Sequence, residues 1–432
     1  MLNVFWIIRS LENQHVRSLA LSLPVLLCGI WFSFCVPAIH GQDFADLRQQ
    51  VAGLERLTAA PDVFTADGYP SAPNLKAIFY QGLPWKGKPT RVFAWLGFPS
   101  DISTAELPER EPKYPAIVLV HGGGGTAFKE WVRLWNQRGY VAISIAVEGQ
   151  TDARSASDKR GWKSHAWNGP HRIGIYQDSN EPLQDQWMYH AVADTILAHS
   201  LLASLPQVDS KQIGLMGISW GGVITSTVIG IDSRFAFAIP TYGCGSLEDA
   251  ENQWGRALGS NELYQEVWNP MQRLSKATLP VLWLSWTGDT HFPMDALARS
   301  YRAASGPRLV SLVPNMRHSH QAGWVRPESY AFADSVIESG ESWITQEIIK
   351  LAQQKIAGRF SSSRPIDEVT LYITRDAGEG PDRTWATTQL PWKQQGKQII
   401  FEGRLPADAQ AWFISLKSDD LYASSDYFKV TP

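Results

Sequence analysis

The segment Gly217-Ile218-Ser219-Trp220-Gly221-Gly222 decides the fold of this chain. It lies between an apolar run at residues 213–218 and a helix-like run at residues 223–229, which predicts a strand, a sharp turn and a helix. Such a turn strains the backbone at its central serine, and the residues two positions before and after must lack side chains to avoid a collision. Glycine occupies both positions. We therefore predict a nucleophile elbow with Ser219 at the positive end of a helix.

A glycine-rich loop follows a second apolar run. His121-Gly122-Gly123-Gly124-Gly125 comes directly after residues 117–120, so the loop is expected at the end of another buried strand. Because glycines let backbone N–H groups approach a ligand closely, we expect the N–H of Gly123, or of the glycine on either side, to hold an oxyanion together with the N–H of Trp220. A phosphate cradle is the alternative, but the Walker lysine and hydroxyl residue are absent. His121 is expected to have a structural role.

Strand-like and helix-like segments alternate up to residue 351. The predicted strands are residues 91–97, 116–120, 141–147, 212–218, 235–240, 280–286 and 308–313. The predicted helices are residues 128–137, 186–205, 223–229, 294–304 and 329–351. This alternation is typical of an α/β fold with a doubly wound, mostly parallel sheet that helices cover on both faces. Residues 151–182 have no clear period, and we expect them to cross the mouth of the sheet.

The pattern changes after residue 358. Short alternating runs separated by turn residues predict a small C-terminal all-β sandwich of immunoglobulin-like type. The predicted organisation is a signal peptide at residues 1–41, a catalytic domain at 42–358, a linker at 359–365 and the sandwich at 366–432. The sandwich is expected to pack against the main domain, and its Trp385 and Trp392 are candidate carbohydrate contacts.

The N-terminus has the pattern of an export signal. Arg9 and Arg17 precede a mostly apolar stretch at residues 19–36, and small residues follow at positions 38 and 41. A retained membrane anchor is the alternative, because about eighteen apolar residues is the lower limit for a spanning helix. We expect cleavage, which would give a secreted or periplasmic protein with no stable membrane association.

Composition narrows the range of functions. The 432 residues carry a formal net charge of −3 and show no basic stripe, so nucleic acid is not an expected partner. No HExxH motif and no clustered Cys/His spacing is present, so we expect neither a metal nor another cofactor. If the signal is cleaved, Cys244 is the remaining cysteine, and we expect it to be a buried small residue rather than a nucleophile.

A nucleophilic serine needs a base, and the base needs a carboxylate on its other ring nitrogen. With a nucleophile elbow the expected chain order is serine, acid, histidine. Asp289 directly follows the predicted strand at residues 280–286 and is our predicted acid. Asp295 is the alternative, and Glu248 or Asp249 is a more remote one.

Two histidines follow the last predicted strand of the main sheet. His318 lies nearer the strand end and is our predicted base, and His320 is the alternative. We expect the other histidine to hydrogen-bond around the site. His291, close to the predicted acid, borders the substrate pocket in this interpretation, although a surface position is the ordinary alternative.

The motifs GISWGG, HGGGG, TGDTHFP and NMRHSH resemble the α/β-hydrolase superfamily and occur in its chain order. They are most similar to the branch that contains dienelactone hydrolases, acetyl xylan esterases and prolyl oligopeptidase-type peptidases. The resemblance covers residues 92–351 and implies Ser219 as nucleophile, His318 as base and Asp289 as acid. Two features depart from that branch. The elbow has serine where dienelactone hydrolases have cysteine, and Ala146-Val147-Glu148-Gly149-Gln150 lacks the Asp-x-Arg-Gly-Gln run of typical acetyl xylan esterases.

Tryptophan is the main clue to the substrate. The chain has nineteen, and the flat amphipathic ring suits the apolar face of a sugar as well as an apolar acyl group. The tryptophans predicted in or beside the substrate pocket are Trp162, Trp167, Trp187, Trp220 and Trp324. For each of them, packing in the core is the alternative.

Together these features predict a serine esterase for small-molecule or oligosaccharide esters, in particular acyl esters of carbohydrate. A prolyl oligopeptidase-type peptidase is the second hypothesis, although the segment before His121 is short for the propeller of those enzymes. A non-catalytic glycan-binding protein is the third.

Overall fold

The computed structural model describes residues 43–100, 113–156, 158, 161–379 and 382–430. The predicted signal peptide at residues 1–41 lies outside the described residues. In the described part of the chain, no helix combines the length and apolarity needed to cross a bilayer.

The described residues alternate strands and helices as far as residue 339 and form strands after it. The α-helices are α1 (Phe44–Ala52), α2 (Lys129–Asn136), α3 (Trp187–Ser204), α4 (Trp220–Val228), α5 (Gln253–Leu258), α6 (Met294–Ala303), α7 (His320–Trp324) and α8 (Pro327–Ser339). The strands are β1 (Val63–Thr65), β2 (Leu75–Gln81), β3 (Arg91–Gly97), β4 (Tyr114–Val120), β5 (Val141–Ile145), β6 (Gln150–Arg154), β7 (Trp162–Ser164), β8 (Val208–Ile218), β9 (Phe237–Thr241), β10 (Val281–Ser285), β11 (Arg308–Leu312), β12 (Ile344–Ala352), β13 (Lys355–Ser362), β14 (Glu368–Thr374), β15 (Trp385–Gln389), β16 (Trp392–Gln395), β17 (Gln398–Arg404), β18 (Ala411–Ser418), β19 (Leu421–Ser424) and β20 (Phe428–Lys429).

The central sheet has the strand order β1-β2-β3-β5-β4-β8-β9-β10-β11. The six strands from β5 to β11 pair in parallel, whereas β1, β2 and β3 form an antiparallel edge. Every residue of β5, β9 and β10 is buried, as in a sheet that is covered on both faces. The predicted α/β fold class is confirmed. Because parallel strands end at one edge of the sheet, the loops after β4, β8, β10 and β11 lie close together.

Two predicted elements are wrong. The predicted helix at residues 329–351 ends at Ser339, because Gly340 adopts a left-handed φ of 76° and caps it. Residues 344–352 instead form β12, where the β-branched side chains favour a strand. The predicted linker at residues 359–365 is wrong for residues 359–362. These residues belong to β13, because they pair with β12 on one side and with β17 on the other.

The C-terminal strands form two antiparallel sheets. One has the order β12-β13-β17-β16, and the other continues the central sheet through β19, β18, β14 and β15. The junction is an antiparallel bridge between Val310 of β11 and Ser424 of β19. Beside it, Arg308 Nη2 lies 2.9 Å from Asp426 Oδ2. The assignment of residues 42–358 and 366–432 to separate domains stays a prediction.

An ionic cluster links β20 of the C-terminal strands to α6. Lys429 Nζ in β20 lies 2.8 Å from Asp295 Oδ2, in the first turn of α6, and 3.9 Å from Glu379 Oε1. Burial and the neighbouring Asp295 carboxylate raise the pKa of Glu379 from 4.5 to about 7. Glu379 is therefore expected to hold a proton in the folded protein at mildly acidic pH, where the unfolded chain has lost it.

This pKa shift predicts how the free energy of unfolding depends on pH. Because the folded state binds more protons at Glu379 than the unfolded state between pH 4.5 and about 7, its contribution to stability falls as pH rises through that window. Glu379→Gln, which mimics the protonated form, is expected to be more stable relative to wild type at pH 8 than at pH 5. Urea unfolding at both pH values measures this difference.

Glu402→Gln, at an exposed position of β17, is the matched control and should follow the wild-type pH dependence. An equal effect of Glu379→Gln at pH 5 and pH 8 would contradict the raised pKa.

Candidate active site

Ser219 lies between β8 and α4 with φ 58° and ψ −116°, a conformation that non-glycine residues rarely adopt. A strain of about 1–3 kcal/mol is typical of such a residue. The two glycines of the motif are sterically required: a Cβ on Gly217 would lie 2.0 Å from Gly221 O, and one on Gly221 would lie 2.0 Å from Val120 O. The turn therefore packs tightly against the end of β4 and holds the partly exposed Ser219 at the carboxyl edge of the sheet.

Ser219, His318 and Asp289 form a continuous hydrogen-bonded chain. Ser219 Oγ lies 3.0 Å from His318 Nε2, and Asp289 Oδ2 lies 2.8 Å from His318 Nδ1. The other carboxylate oxygen of Asp289 accepts hydrogen bonds from the backbone N–H groups of His291 and Phe292 at 2.8 and 2.9 Å. These bonds fix the carboxylate, and the carboxylate in turn sets the orientation and tautomer of the imidazole.

Three aromatic rings surround the His318 imidazole. The Tyr242 ring centre lies 4.5 Å away, and the Tyr242 hydroxyl donates to Ser319 O at 2.7 Å. His291 contacts the imidazole edge-on at 4.6 Å, and Phe292 stacks parallel to it at 6.0 Å. Burial, followed by the nearby His318, lowers the pKa of His291. A neutral His291 adds no charge that would oppose protonation of His318.

The glycine loop after β4 lies against Ser219. A Cβ on Gly122 would lie 2.9 Å from Ser219 Cβ, and one on Gly123 would lie 2.9 Å from Trp220 Cδ1. The Gly122 N–H donates to His320 Nε2 at 2.9 Å, so it is already used. Among the described residues, the N–H groups of Gly123 and Trp220 have no hydrogen-bond acceptor, and Trp220 begins α4, where helical N–H groups lack partners. Both are available to an oxyanion.

His320 and His121 position this loop. Burial, followed by the nearby His121, lowers the pKa of His320 to about 4. It is therefore neutral near pH 7, and its Nε2 lone pair accepts the Gly122 N–H rather than facing Ser219. Burial likewise lowers the pKa of His121 to about 4, and its Nε2 accepts from Val147 N at 3.1 Å. The ring proton is thus on His121 Nδ1, which donates to Gly122 O at 2.7 Å.

Gln150 gives the loop a further support. Its side-chain amide donates to Gly125 O at 3.0 Å, and its Oε1 accepts from Glu148 N at 2.8 Å. Glu148 stands where the acetyl xylan esterase pattern has arginine, and its Oε1 accepts from Arg172 Nε at 2.9 Å. In this chain the guanidinium next to position 148 is that of Arg172, which lies in the segment at residues 151–182.

The model of the acetyl xylan esterase family (AXE1) matches residues 80–274, a span that includes both the glycine loop and the elbow. The chain has the α/β-hydrolase fold. Acetyl esterase Axe7A of Xylanibacter ruminicola is 22% identical to it over 137 residues, which cover 31% of this chain and 30% of that protein. The chain therefore matches less than a third of that relative's length.

Two solved structures are similar to this chain. The acetyl xylan esterase from Paenibacillus sp. R4 has 20% identity and a TM-score of 0.49, covering 66% of this chain and 92% of its own. Acetyl xylan esterase 1 from Thermoanaerobacterium sp. JW/SL YS485 has 15% identity and a TM-score of 0.49, covering 64% of this chain and 89% of its own.

The alternative acids that the sequence offered make other contacts. Asp295 pairs with Lys429, and both oxygens of Glu248 accept from Asn269 Nδ2 at 3.1 and 3.0 Å. Asp249 is exposed beyond β9. No group of His, Cys, Asp and Glu within the described ranges has the arrangement of a metal site. Cys244 is buried and free, and burial raises the pKa of its thiol well above the ordinary value.

The predicted substrate tryptophans differ in position. Trp162 is partly exposed, and its Nε1 donates to Gly124 O at 2.9 Å, next to the oxyanion loop. Trp187 is buried under Trp220 at 5.3 Å, so it supports the elbow rather than lining a surface. Trp324 packs on Phe128 at 4.9 Å.

Trp167 is not brought to the site. It is 43% exposed and lies at the antiparallel edge of the sheet, where the Arg91 guanidinium lies over its ring and Phe79 contacts it edge-on. This position gives no support to the prediction of Trp167 as a substrate contact. Trp167 lies near β3, and two strands, β5 and β4, lie between β3 and β8, the strand that leads to Ser219.

Two residues near the site were missed from the sequence. Tyr242 directly follows β9, and the rule that sites gather at the carboxyl ends of parallel strands could have identified it. Arg172 lies in the segment at residues 151–182, which has no periodicity, so no local signal indicated its position.

Asp289→Asn is expected to lower kcat for a good ester by about 10⁴-fold with the fold intact. The asparagine oxygen can still accept from His291 N and Phe292 N, but its amide then faces His318 and favours the wrong tautomer. Steady-state kinetics near neutral pH, with circular dichroism as the check of folding, measures this effect.

Asp295→Asn is the matched control and should change kcat far less, since its partner is Lys429. If Asp295→Asn abolished turnover and Asp289→Asn did not, the acid would be Asp295.

Proposed function

We propose that this α/β-hydrolase cleaves carboxylic esters, in particular acyl esters of carbohydrate, through an acyl-enzyme on Ser219. The observation that carries the proposal is the hydrogen-bonded chain from Ser219 Oγ to His318 Nε2 at 3.0 Å and from His318 Nδ1 to Asp289 at 2.8 Å. A serine hydroxyl within hydrogen-bond distance of an oriented imidazole is the arrangement needed for nucleophilic attack near neutral pH.

In the first half-reaction, Ser219 Oγ attacks the ester carbonyl while His318 Nε2 takes its proton. The carbonyl oxygen becomes an oxyanion that accepts from the N–H groups of Gly123 and Trp220, and the N-terminus of α4 stabilises the same charge. The imidazolium, held by Asp289, then gives its proton to the leaving alcohol oxygen. The C–O bond breaks and the acyl group stays on Ser219.

In the second half-reaction, a water molecule takes the place of the alcohol. His318 removes its proton, the hydroxide attacks the acyl carbonyl, and the same two N–H groups stabilise the second oxyanion. Collapse releases the carboxylic acid and returns the proton to Ser219 Oγ. Removal of one oxyanion donor typically lowers kcat about 10²–10³-fold, so the availability of both N–H groups is an important part of the proposal.

Two observations support carbohydrate as the alcohol part. The matching family and the curated relative are named for acetyl esters, one of them on xylan. Trp162 adds a partly exposed indole beside Gly124, which suits the apolar face of a sugar ring.

A substrate panel tests the proposal. Purified protein is assayed on acetylated xylo-oligosaccharides, methyl glucuronoyl esters, short aryl esters and proline-containing peptides. We expect the highest kcat/KM on the acetylated sugars and measurable turnover of the aryl esters. Cleavage of peptides with no ester turnover would replace the proposal with a peptidase, and binding of xylo-oligosaccharides without any turnover would replace it with a glycan-binding protein.

We also propose that the protein acts outside the cytoplasm after removal of residues 1–41. The basic and apolar pattern of that segment supports this proposal. N-terminal sequencing of the protein recovered from its native host tests it, and an intact Met1 would contradict cleavage.

A further inference from the structure

The guanidinium of Arg172 lies beside the oxyanion loop with part of its donor capacity unused. Its Nε donates to Glu148 Oε1 at 2.9 Å and its Nη1 to Gly174 O at 2.7 Å. Among the described residues, Nη2 has no hydrogen-bond partner. A guanidinium has five N–H donors, so at least two remain for a bound molecule.

The free end of Arg172 lies beside Gly123 of the oxyanion loop. A Cβ on Gly123 would lie 3.0 Å from Arg172 Nη2, so this nitrogen occupies the space next to the glycine. The guanidinium carbon also lies 5.1 Å from the ring centre of Trp220, the residue after the nucleophile. The unused donors are therefore close to Gly123 and to the indole of Trp220.

Arg172 is held rather than free to move away. Its side chain is only 20% exposed and that of its partner Glu148 only 17%. Since a partly buried guanidinium loses hydration, its donors that neither Glu148 nor Gly174 uses still need an acceptor, and a carboxylate is the strongest one. The two hydrogen bonds to Glu148 and Gly174 set its direction before any ligand binds.

A second arginine, Arg154, reaches the loop through Trp162. Arg154 stacks on Trp162 with its guanidinium carbon 3.7 Å from the ring centre, and Trp162 is hydrogen-bonded to Gly124. His121 and His320, the two histidines under the loop, are neutral near pH 7. Positive charge around the loop therefore comes from the arginines.

We infer that Arg172 is a specificity-determining residue that binds a carboxylate on the sugar part of the ester, as in an acylated uronic acid. This inference rests on the proposed function. The planar fork of a guanidinium matches the two oxygens of a carboxylate. The sugar part is the expected carrier, because an acetyl acyl group has no charge of its own.

The test compares two substrates that differ only in that charge: methyl glucuronoside and methyl glucoside, each carrying one acetyl ester at the same hydroxyl. The measured quantity is the ratio of kcat/KM for the charged to the uncharged ester. We expect Arg172→Gln to lower this ratio about 10- to 100-fold, mainly through a higher KM for the charged ester. Arg138→Gln is the matched control and should leave the ratio unchanged. It removes a guanidinium that lies over the ring of Tyr330, as the Arg172 guanidinium lies over the ring of Trp220.

A second measurement uses only the wild-type protein and does not depend on the variant folding. Raising NaCl from about 0.05 to 0.5 M should lower the ratio, since salt screens the attraction of Arg172 for the carboxylate. An equal loss on both esters in Arg172→Gln, or a wild-type ratio near one that salt does not change, would overturn the inference and leave the esterase proposal intact. Wild-type turnover of neither ester would contradict the esterase proposal itself, and the inference with it.

Discussion

Ser219→Ala is expected to lower kcat on a good ester substrate by about 10⁶-fold, the loss typical when a nucleophilic serine is removed from a triad. The alanine cannot form the acyl-enzyme, so the residual rate comes from binding and the oxyanion donors alone. The fold should persist, because the Ser219 hydroxyl contacts His318 and the backbone strain at this position belongs to the elbow as a whole.

The measurement is steady-state turnover, together with mass spectrometry of the protein after a rapid quench. Wild type should carry the mass of one acyl group and Ser219→Ala should not. Ser164→Ala, at an exposed serine of β7, is the matched control and is expected to keep its activity within about twofold, as for an ordinary surface position. Retention of about a tenth of the wild-type rate by Ser219→Ala would remove Ser219 from the mechanism.

His318→Ala should have an effect of the same size as Ser219→Ala, about 10⁶-fold in kcat, because the members of a triad act as a unit. His320→Ala should lower kcat only about tenfold, the value of one hydrogen bond. The reason is geometric: His318 Nε2 faces Ser219 Oγ, whereas His320 Nε2 accepts from Gly122 N.

The double variant Ser219→Ala/His318→Ala separates these roles further. It should be no slower than either single variant, since the second substitution removes nothing that the first has left working. A larger loss in His320→Ala than in His318→Ala would transfer the role of base to His320.

Much of the fold follows from local sequence patterns. The buried strand β3 has the predicted bounds, and β10 ends within one residue of its predicted end. These strands are apolar runs of five to seven residues whose burial on both faces leaves little choice of conformation. The pattern fails at residues 344–352, where the apolar spacing suits a helix or a strand and only pairing with β13 decides between them.

The sequence also could not show that the C-terminal strands continue the central sheet. The local sequence of β19 does not specify which strand it pairs with. Its partner is the edge strand β11, which is distant along the chain. Edge pairing is a tertiary event, because backbone hydrogen bonds carry no sequence code of their own.

The sequence by itself determined the elbow, since the glycines around Ser219 are required by contacts that any strand–turn–helix of this shape must make. It also limited the candidates for the acid and the base to a few residues that follow two of the strands. The reason is that the carboxyl ends of parallel strands lie at one edge of the sheet. The sequence favoured His318 over His320 by its distance from the strand end, but only the tertiary structure showed which imidazole faces Ser219 and placed Arg172 beside Gly123. Side-chain direction at a strand end and the path of an irregular loop depend on packing against distant residues, which no local pattern encodes.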